Sequence, residues 1–238
     1  MSLFVEEEKK SQMDHQKDGS SERLDNLLLN AGSGRTPISF EYYPPKTDAG
    51  LATLYKVMKD LKEYDGLFID ITWGAGGSTS SLTLDICKKA KHEFGLIPNM
   101  HLTCTNMEIN TIESALNDCK ENGIRNILAL RGDPPVGEVA WTAKEGGFTC
   151  AKDLVEFIRS KHGGYFHISV AGYPEGHPVK MKLVKDEDVE SLSDAEKSRL
   201  SIDIDAETNV KSTYVCHDED FEDEINYLKQ KVDAGACK

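Results

Sequence analysis

The chain alternates between short apolar runs and amphipathic segments. Five apolar runs begin near residues 38, 67, 99, 126 and 166, and each ends in polar or reactive side chains. In the intervening segments apolar residues recur every three or four positions, as at Leu51, Leu54, Met58 and Leu61. This pattern predicts buried strands joined by amphipathic helices, and hence a parallel sheet. Because the carboxyl ends of parallel strands share one edge, the five decorated ends predict a common active site.

Two regions depart from this alternation. Residues 1–35 are polar apart from a patch around Leu24 and Leu27, so we predict a flexible tail, with one short helix over 21–29. Residues 179–220 are acidic and lack a long apolar stripe, which predicts a disordered insertion. Helical spacing returns over 221–232. We therefore assign residues 36–238 to one α/β domain that carries an acidic insertion.

Composition limits the choice of partners and compartment. The 238-residue chain has a formal net charge of −13, which argues against general affinity for nucleic acid or an anionic membrane. Its six cysteines include no CxxC pair, which favours reduced thiols. We find no signal-peptide pattern and no run near the ~20 apolar residues of a membrane span. We expect a soluble, cytoplasmic protein, and a homo-oligomer is compatible with these features.

Glu41 is a candidate general acid. It ends the first apolar run, beside Tyr42 and Tyr43 and ahead of Pro44 and Pro45. A carboxylate among aromatic rings can have a raised pKa, which suits proton donation near neutral pH. The alternative is an ordinary solvated acid at the start of a loop.

Three further features have both a functional and a structural interpretation. The Gly-rich stretch 74–80 after Trp73 could approach a phosphate or be a plain loop, and it lacks the GxGxxG of dinucleotide-binding folds. The sequence Arg131-Gly132-Asp133 could bind an anion and an amide, form a surface ion pair, or represent an adhesion tripeptide. His101 and His177 are single histidines without metal-site spacing, so we predict no metal.

Six segments, taken together and in this order, resemble the methylenetetrahydrofolate reductase family. They are Phe40-Glu41-Tyr42-Tyr43-Pro44-Pro45-Lys46, Asp70-Ile71-Thr72-Trp73, His101-Leu102-Thr103-Cys104, Ala129-Leu130-Arg131-Gly132-Asp133-Pro134, Gly146-Gly147-Phe148 and Val170-Ala171-Gly172-Tyr173-Pro174-Glu175-Gly176-His177-Pro178. The similarity covers about residues 37–178 and resumes over 221–236.

The resemblance implies a (β/α)8 barrel of the TIM type that holds FAD at the carboxyl ends of its strands. It also implies a reaction in two halves. NADH or NADPH reduces the flavin, which then reduces 5,10-methylenetetrahydrofolate to 5-methyltetrahydrofolate in one-carbon metabolism and methionine supply. The flavin carries the hydride, and the protein positions the ligands.

The resemblance also assigns roles to residues. Glu41 would be the general acid that helps to open the five-membered ring of the folate, and Asp133 would also face the folate. The nicotinamide side would be lined by Glu41, Tyr42, Tyr43, Pro44, Pro45, Lys46, Thr72 and Trp73. Contacts to FAD would come from Thr72, Trp73, His101, Arg131, Gly132, Asp133, Cys150, Ala151, Tyr173, His177, Pro178, Glu224 and Lys231. Here Cys150 replaces a frequent aromatic residue, and Glu224 replaces the usual aspartate.

Two differences from the family raise alternatives. An acidic stretch follows Pro178, and the chain ends where the sixth strand is expected, so we predict an incomplete barrel with about five of eight strands. One alternative is an inactive fragment that binds FAD weakly or associates with a full-length subunit. Another is a complete flavodoxin-like sheet, which would have the strand order 2-1-3-4-5.

Overall fold

The computed structural model describes residues 20–32, 36–74, 80–104, 107–133 and 146–237. The chain divides into two compact units. The first, which we call the sheet unit, comprises residues 1–170 and 234–238. The second, the acidic unit, comprises residues 171–233. Each unit is described on its own below.

Five parallel strands form the core of the sheet unit. They are β1 (Ser39–Tyr42), β2 (Phe68–Ile71), β3 (Pro98–Thr103), β4 (Asn126–Leu130) and β5 (His167–Val170), hydrogen-bonded in the order β1-β2-β3-β4-β5. Sequential parallel order is what an incomplete (β/α)8 barrel requires, so the predicted fold class is confirmed. The flavodoxin-like order 2-1-3-4-5 is excluded.

Helices cover one face of this sheet. They are α2 (Asp48–Leu61), α3 (Ser80–His92), α4 (Ile109–Glu121) and α5 (Ala151–His162), whereas α1 (Leu24–Asn30) precedes β1 and contacts Asn126. The strand residues that pack with helical side chains alternate along each strand, for example Met100 and Leu102 of β3 and Ile127 and Ala129 of β4. All four of these side chains have no exposed surface, which is the burial expected of a parallel sheet covered by helices.

The other face of the sheet carries a row of polar side chains. Strand register places Glu41, Asp70, Asn99, Asn126 and His167 in line across all five strands. Side chains alternate between the two faces of a strand, so register partners point to the same side. The sheet therefore has one apolar face and one polar face.

Polar side chains mark the starts of two helices. Thr47 is the N-cap of α2, because its hydroxyl accepts a hydrogen bond from the Gly50 amide at 3.1 Å. Cys150 is the N-cap residue of α5. The amide and the hydroxyl of Thr149 both donate to the carboxylate of Asp153, at 2.9 and 2.6 Å.

The described part of the predicted tail is ordered. A 3₁₀ turn over Ser20–Glu22 leads into α1, which begins three residues later than predicted. Leu24 is buried, and its amide donates to the side-chain oxygen of Asn126 at 2.9 Å. The Asn126 side chain in turn donates to the carbonyl of Glu22 at 3.0 Å. A flexible tail is thus a wrong description of residues 20–32, while residues 1–19 and 33–35 lie outside the described ranges.

The acidic unit has secondary structure where the sequence predicted disorder. Strands β6 (Lys182–Val184), β7 (Ser201–Ile204) and β8 (Lys211–Val215) form an antiparallel sheet in the order β6-β8-β7. Helix α6 (Asp194–Ser198) precedes β7, and α7 (Asp218–Asp233) replaces the predicted helix over 221–232. Polar contacts stabilise these elements. Ser193 and Glu196 make a reciprocal capping box, and Arg199 pairs with Asp218. Contacts between polar side chains produce no apolar periodicity, so the hydrophobic pattern of the sequence did not reveal these elements.

Candidate active site at the carboxyl ends of the strands

The carboxyl ends of the first four strands bring most of the predicted site residues to one edge of the sheet unit. Glu41 lies in β1, and Thr72 and Trp73 follow β2 directly. His101 lies in β3, two residues before its end, and 131–133 follow β4. In a parallel sheet this edge is where α/β enzymes bind ligands. The Gly-rich turn over 75–79 and Pro134 lie outside the described residues.

Glu41 is exposed on the polar face of the sheet, beside its register partner Asp70. The predicted aromatic enclosure is wrong for the described residues. Tyr42 points to the opposite face and is buried in the core, where burial raises the pKa of its phenol. Tyr43 is 73% exposed. Glu41 is therefore accessible to a ligand, and any desolvation of its carboxyl has to come from that ligand.

Asp70 is a site residue that the sequence reasoning missed. Its Oδ1 accepts a hydrogen bond from the Asn99 amide at 2.8 Å and lies 3.3 Å from Nε2 of His101. The side chains of Asp70 and His101 are only 16% and 10% exposed. A carboxylate in this position fixes the ring orientation of His101. The signal in the sequence was an acid inside an apolar strand, two residues before Thr72.

Three buried polar atoms in and after β2 and β3 have no hydrogen-bond partner among the described residues. The indole nitrogen of Trp73 and the hydroxyl of Thr103 lie at the carboxyl edge, whereas the side-chain oxygen of Asn99 lies near the amino end of β3. Buried polar groups are normally hydrogen-bonded, so the two atoms at the carboxyl edge suit a bound ligand. The polar rim of a flavin both donates and accepts hydrogen bonds. These atoms fit the cofactor that the family resemblance implies.

Cys104 connects three loops at this edge. Its thiol lies 3.7 Å from the carbonyl oxygen of Arg131 and 3.8 Å from that of Cys150. Burial raises the pKa of this thiol to about 12, so it stays protonated and serves as a weak donor. The loop after β4 and the start of α5 are thereby held beside the end of β3. Arg131 and Asp133 are exposed, and Gly132 between them has a φ of +89°.

The carboxylate of Asp153 accepts hydrogen bonds from Thr149 at the start of α5. The amide and the hydroxyl of Thr149 both donate to Asp153. Although burial acts against it, these hydrogen bonds lower the pKa of Asp153 below its usual value. A ligand phosphate at this helix end would meet that carboxylate. Backbone atoms of Cys150 and Ala151 are thus better suited to a neutral part of a ligand.

The acidic unit contains a cavity of about 430 Å³ lined by several of the other predicted site residues. Its walls come from Ala171, Gly172, Tyr173, Pro174, Phe221, Glu224, Ile225, Leu228 and Lys231. Most of this lining is apolar, and Glu224 and Lys231 provide its charges. His177 packs edge-on against Tyr173, with ring centroids 4.5 Å apart. The structure thus brings Tyr173, His177, Glu224 and Lys231 together within this unit.

Lys231 is the buried cation of the cavity. It is 5% exposed, donates to the carbonyl oxygen of Ala171 at 2.6 Å, and lies 4.8 Å from the ring centre of Tyr227. Hydrogen bonding offsets part of the cost of burying this ammonium. Glu224, which pairs with Lys180 at 3.5 Å, is the acid of the cavity wall. The cavity therefore combines an apolar surface with one cation and one anion.

Gly176 and His177 shape the loop that follows Tyr173. Gly176 has a φ of +111°, and a Cβ at this position would overlap the Cys216 side chain. The Nδ1 of His177 accepts a hydrogen bond from the Val179 amide at 3.2 Å, which starts a 3₁₀ turn over Pro178–Lys180. Only glycine permits this close approach, so the loop is fixed by backbone sterics.

Two predicted absences concern metals and membranes. Neither His101 nor His177 belongs to a group of three possible metal ligands among the described residues. In the same ranges no helix is both long and apolar enough to cross a bilayer.

Five sequential parallel strands with helices on one face are the arrangement of an incomplete (β/α)8 barrel, and most of the predicted site residues lie at the carboxyl ends of these strands. The family model described as methylenetetrahydrofolate reductase matches residues 26–237. The chain belongs to the methylenetetrahydrofolate reductase family.

Curated relatives agree with this assignment. The chain is 46% identical over 213 residues to a probable methylenetetrahydrofolate reductase (NADH) of Oryza sativa subsp. japonica, covering 90% of this chain and 31% of the relative. It is 44% identical to methylenetetrahydrofolate reductase (NADH) 1 of Zea mays, with the same coverage. It is 51% identical over 148 residues to methylenetetrahydrofolate reductase 2 of Saccharomyces cerevisiae, covering 61% of this chain and 25% of the relative. The chain thus spans about a third or less of the length of these relatives.

Proposed function

We propose that this chain takes part in the flavin-dependent reduction of 5,10-methylenetetrahydrofolate to 5-methyltetrahydrofolate by NADH or NADPH. The observation that carries the proposal is the common edge to which β1–β4 bring Glu41, Thr72–Trp73, His101 and 131–133. The family assignment supports the same reaction class. The identity of the preferred nicotinamide nucleotide is left open by these residues.

FAD, when bound, would carry the hydride between the nucleotide and the folate. The described residues fit this cofactor in two ways. In the sheet unit, Trp73 and Thr103 offer buried polar atoms without a hydrogen-bond partner at the carboxyl edge of the sheet. Lys231 offers a buried ammonium that suits a phosphate group, inside an apolar cavity. Arg131 and Gly132, with Ala151, Cys150, His177 and Pro178, would complete the cofactor contacts.

Glu41 would hold and donate the proton. A carboxylic acid on the exposed polar face can reach a ligand nitrogen, and protonation of that nitrogen helps the five-membered folate ring to open. Asp133 would favour the polarised ring through its negative charge. Asp70 would position the ring of His101, as their 3.3 Å separation indicates. Tyr42 contributes to the nucleotide side only through its backbone, because its ring is buried.

The nucleotide would lie along the loop that leads from β1 into α2. Tyr43 is exposed there. Pro44 and Pro45 restrict the backbone of the loop, and Lys46 adds a positive charge. Thr72 and Trp73 follow the neighbouring strand β2. An exposed aromatic ring beside a cation suits a nicotinamide nucleotide, whose ring stacks and whose phosphates are anionic.

We infer that the protein is cytoplasmic and that the chain can form a homo-oligomer. Six described cysteines are free, which fits a reducing compartment. The acidic composition disfavours nucleic acid and anionic membranes as partners. Gel filtration with light scattering would measure the oligomer.

The experiment that tests the proposal is a titration of the 238-residue chain with FAD, followed by turnover assays. We expect quenched flavin fluorescence, oxidation of NADH or NADPH with a quinone acceptor, and folate reduction. Quinone turnover without folate reduction would support the alternative of a chain that holds the flavin without completing the reaction. A chain that leaves flavin fluorescence unquenched would overturn both proposals.

Replacing the buried cation should weaken cofactor binding. We expect Lys231→Met to raise the dissociation constant for FAD roughly 10- to 100-fold, because a charge-assisted hydrogen bond contributes about 1.5–3 kcal/mol. Lys229→Met is the matched control, since Lys229 lies on the same helix and is exposed. Equal losses in both variants would show that helix charge, not the cavity, holds the cofactor.

A further inference from the structure

A second cluster lies at the amino-terminal edge of the sheet, opposite the candidate active site. Asp25 of α1, His167 at the start of β5 and Cys237 each offer one possible metal-ligand atom, and the three atoms lie within 4.8 Å of one another. No other such group occurs in the ranges that the structure describes. We propose that these three side chains form a binding site for a zinc-like divalent metal ion.

His167 points an unused nitrogen into the cluster. The residue is 6% exposed, and its buried Nδ1 has no hydrogen-bond partner among the described residues. Its other nitrogen, Nε2, lies 3.1 Å from the hydroxyl of Ser169. In the tautomer with the proton on Nε2, this nitrogen donates a hydrogen bond to Ser169. The lone pair of Nδ1 is then directed at the cluster. Metal-binding histidines are oriented in this way by a hydrogen bond from the second ring nitrogen.

The distances fit a shared ion better than a hydrogen bond. Nδ1 of His167 lies 3.7 Å from Oδ1 of Asp25, beyond the usual range of a hydrogen bond. Two ligands of one tetrahedral zinc ion lie roughly 3.3–3.6 Å apart, given metal–ligand bonds of about 2.0–2.3 Å. The largest separation in the cluster has to close by about 1 Å, which a side-chain rotation can provide.

Neighbouring groups would support the two anionic ligands. Arg23 donates to Oδ2 of Asp25 at 2.7 Å, and Oδ1 faces His167. Oδ1 also accepts from the Asn26 amide at 3.0 Å and from Nε of Arg23 at 3.1 Å, and a metal ion would take the place of the Arg23 contact. The thiol of Cys237 is approached by Arg159 at 3.5 Å and by the Ile168 amide at 3.4 Å. Donors of this kind orient metal ligands from the second shell of a site.

The charge balance decides which metals fit. Two guanidinium groups oppose a divalent cation, but a carboxylate and a thiolate together neutralise it. A sulfur, an imidazole nitrogen and a carboxylate oxygen suit zinc and cobalt, whereas magnesium and calcium prefer oxygen ligands. The alternative is a network of protein groups alone, in which Arg23 and Arg159 neutralise Asp25 and Cys237.

Cobalt titration tests the site because Co²⁺ substitutes for zinc and reports thiolate ligation by absorption. We expect the 238-residue chain to bind one equivalent, with a thiolate-to-cobalt band that zinc abolishes. Cys237→Ser and His167→Gln should each weaken cobalt binding at least 10-fold. Cys150→Ser, which changes the other half-buried free thiol, should leave binding within twofold.

Folding controls keep the result interpretable. Thermal melts in a chelator would show that each variant folds, and Cys237→Ala provides a second substitution if the serine variant does not. The proposal would be overturned by a chain without the charge-transfer band, or by a band that survives the Cys237 substitutions. A purely protein network predicts the first pattern, no charge-transfer band, together with a His167→Gln variant whose melting is altered.

Discussion

The sheet unit and the acidic unit reach order in different ways. In the sheet unit, residues far apart in sequence form an apolar layer between strands and helices, such as Met58, Leu102, Ile127 and Ile158, all without exposed surface. In the acidic unit, polar side chains about 20 positions apart or closer join the elements. Glu196 caps α6 and pairs with His217, and Arg199 pairs with Asp218. The comparison teaches that an absent apolar stripe excludes a large core but does not exclude a small ordered sheet.

The largest expected effect on stability is in the helix-facing layer of the sheet unit. Leu116→Ala in α4 removes a side chain with no exposed surface and leaves a cavity, so we expect a loss of about 2–5 kcal/mol. Urea unfolding would measure it. Leu29→Ala, at a side chain 80% exposed, is the control and should change stability by less than about 0.5 kcal/mol. Similar effects in both variants would contradict the assigned core.

A smaller effect is expected from the loop at Gly176 in the acidic unit. Gly176→Ala places a Cβ against Cys216 at a φ of +111°, which should cost roughly 1–3 kcal/mol in strain. Gly164→Ala is the matched control, because a Cβ there meets nothing within 4 Å. The urea concentrations at the unfolding midpoints of both variants would measure this difference in stability. An unaffected Gly176→Ala protein would show that this loop does not have the described geometry.

The smallest effect is a pH dependence of the acidic unit. Hydrogen bonds from the Ser193 amide and from His217 lower the pKa of Glu196 to about 2, from an ordinary value of 4.5. A carboxyl with a depressed pKa stabilises the folded state above its unfolded pKa. This stabilisation is lost as the pH falls from about 4.5 through about 2.

An NMR titration of the Glu196 carboxyl would measure that pKa, and urea midpoints between pH 5 and 2 would measure its consequence. We expect Glu196→Gln to reduce the pH dependence, whereas Glu222→Gln at an exposed position of α7 should not. The interpretation fails if the Glu196 carboxyl titrates at its ordinary value.

The same contrast explains what the sequence could predict. All five strands followed from apolar runs such as 126–130, because burial of a parallel strand against helices produces a clear apolar pattern. Their sequential order followed from the family resemblance, since the apolar runs alone also fitted the order 2-1-3-4-5. The antiparallel strands β6–β8 were missed, since Thr213 and Val215 are the only residues of β8 that are buried. Asn126 explains the ordered segment near Leu24, a contact between residues 102 positions apart that no local pattern encodes.

Prediction of the site was divided in a similar way. Glu41, Trp73 and Arg131 could be located from their positions at strand ends, because parallel topology gathers those ends. Asp70 was missed although it is an acid inside an apolar strand, since its contacts, such as the 2.8 Å hydrogen bond from Asn99, come from the next strand. The cluster of Asp25, His167 and Cys237 has no motif spacing, so only the fold brings it together.

The central claim, that Glu41 is the acid of a flavin-dependent folate reduction, is tested most directly by a two-step anaerobic experiment on the 238-residue chain. The FAD-loaded chain is reduced with NADPH or NADH, and 5,10-methylenetetrahydrofolate is then added while flavin absorbance is followed. We predict that Glu41→Gln keeps its rate of reduction within a few fold but slows reoxidation by the folate about 10²- to 10⁴-fold. The control, Glu63→Gln at an exposed turn, should behave as the unmodified chain. Reoxidation of Glu41→Gln at the unmodified rate would contradict the account.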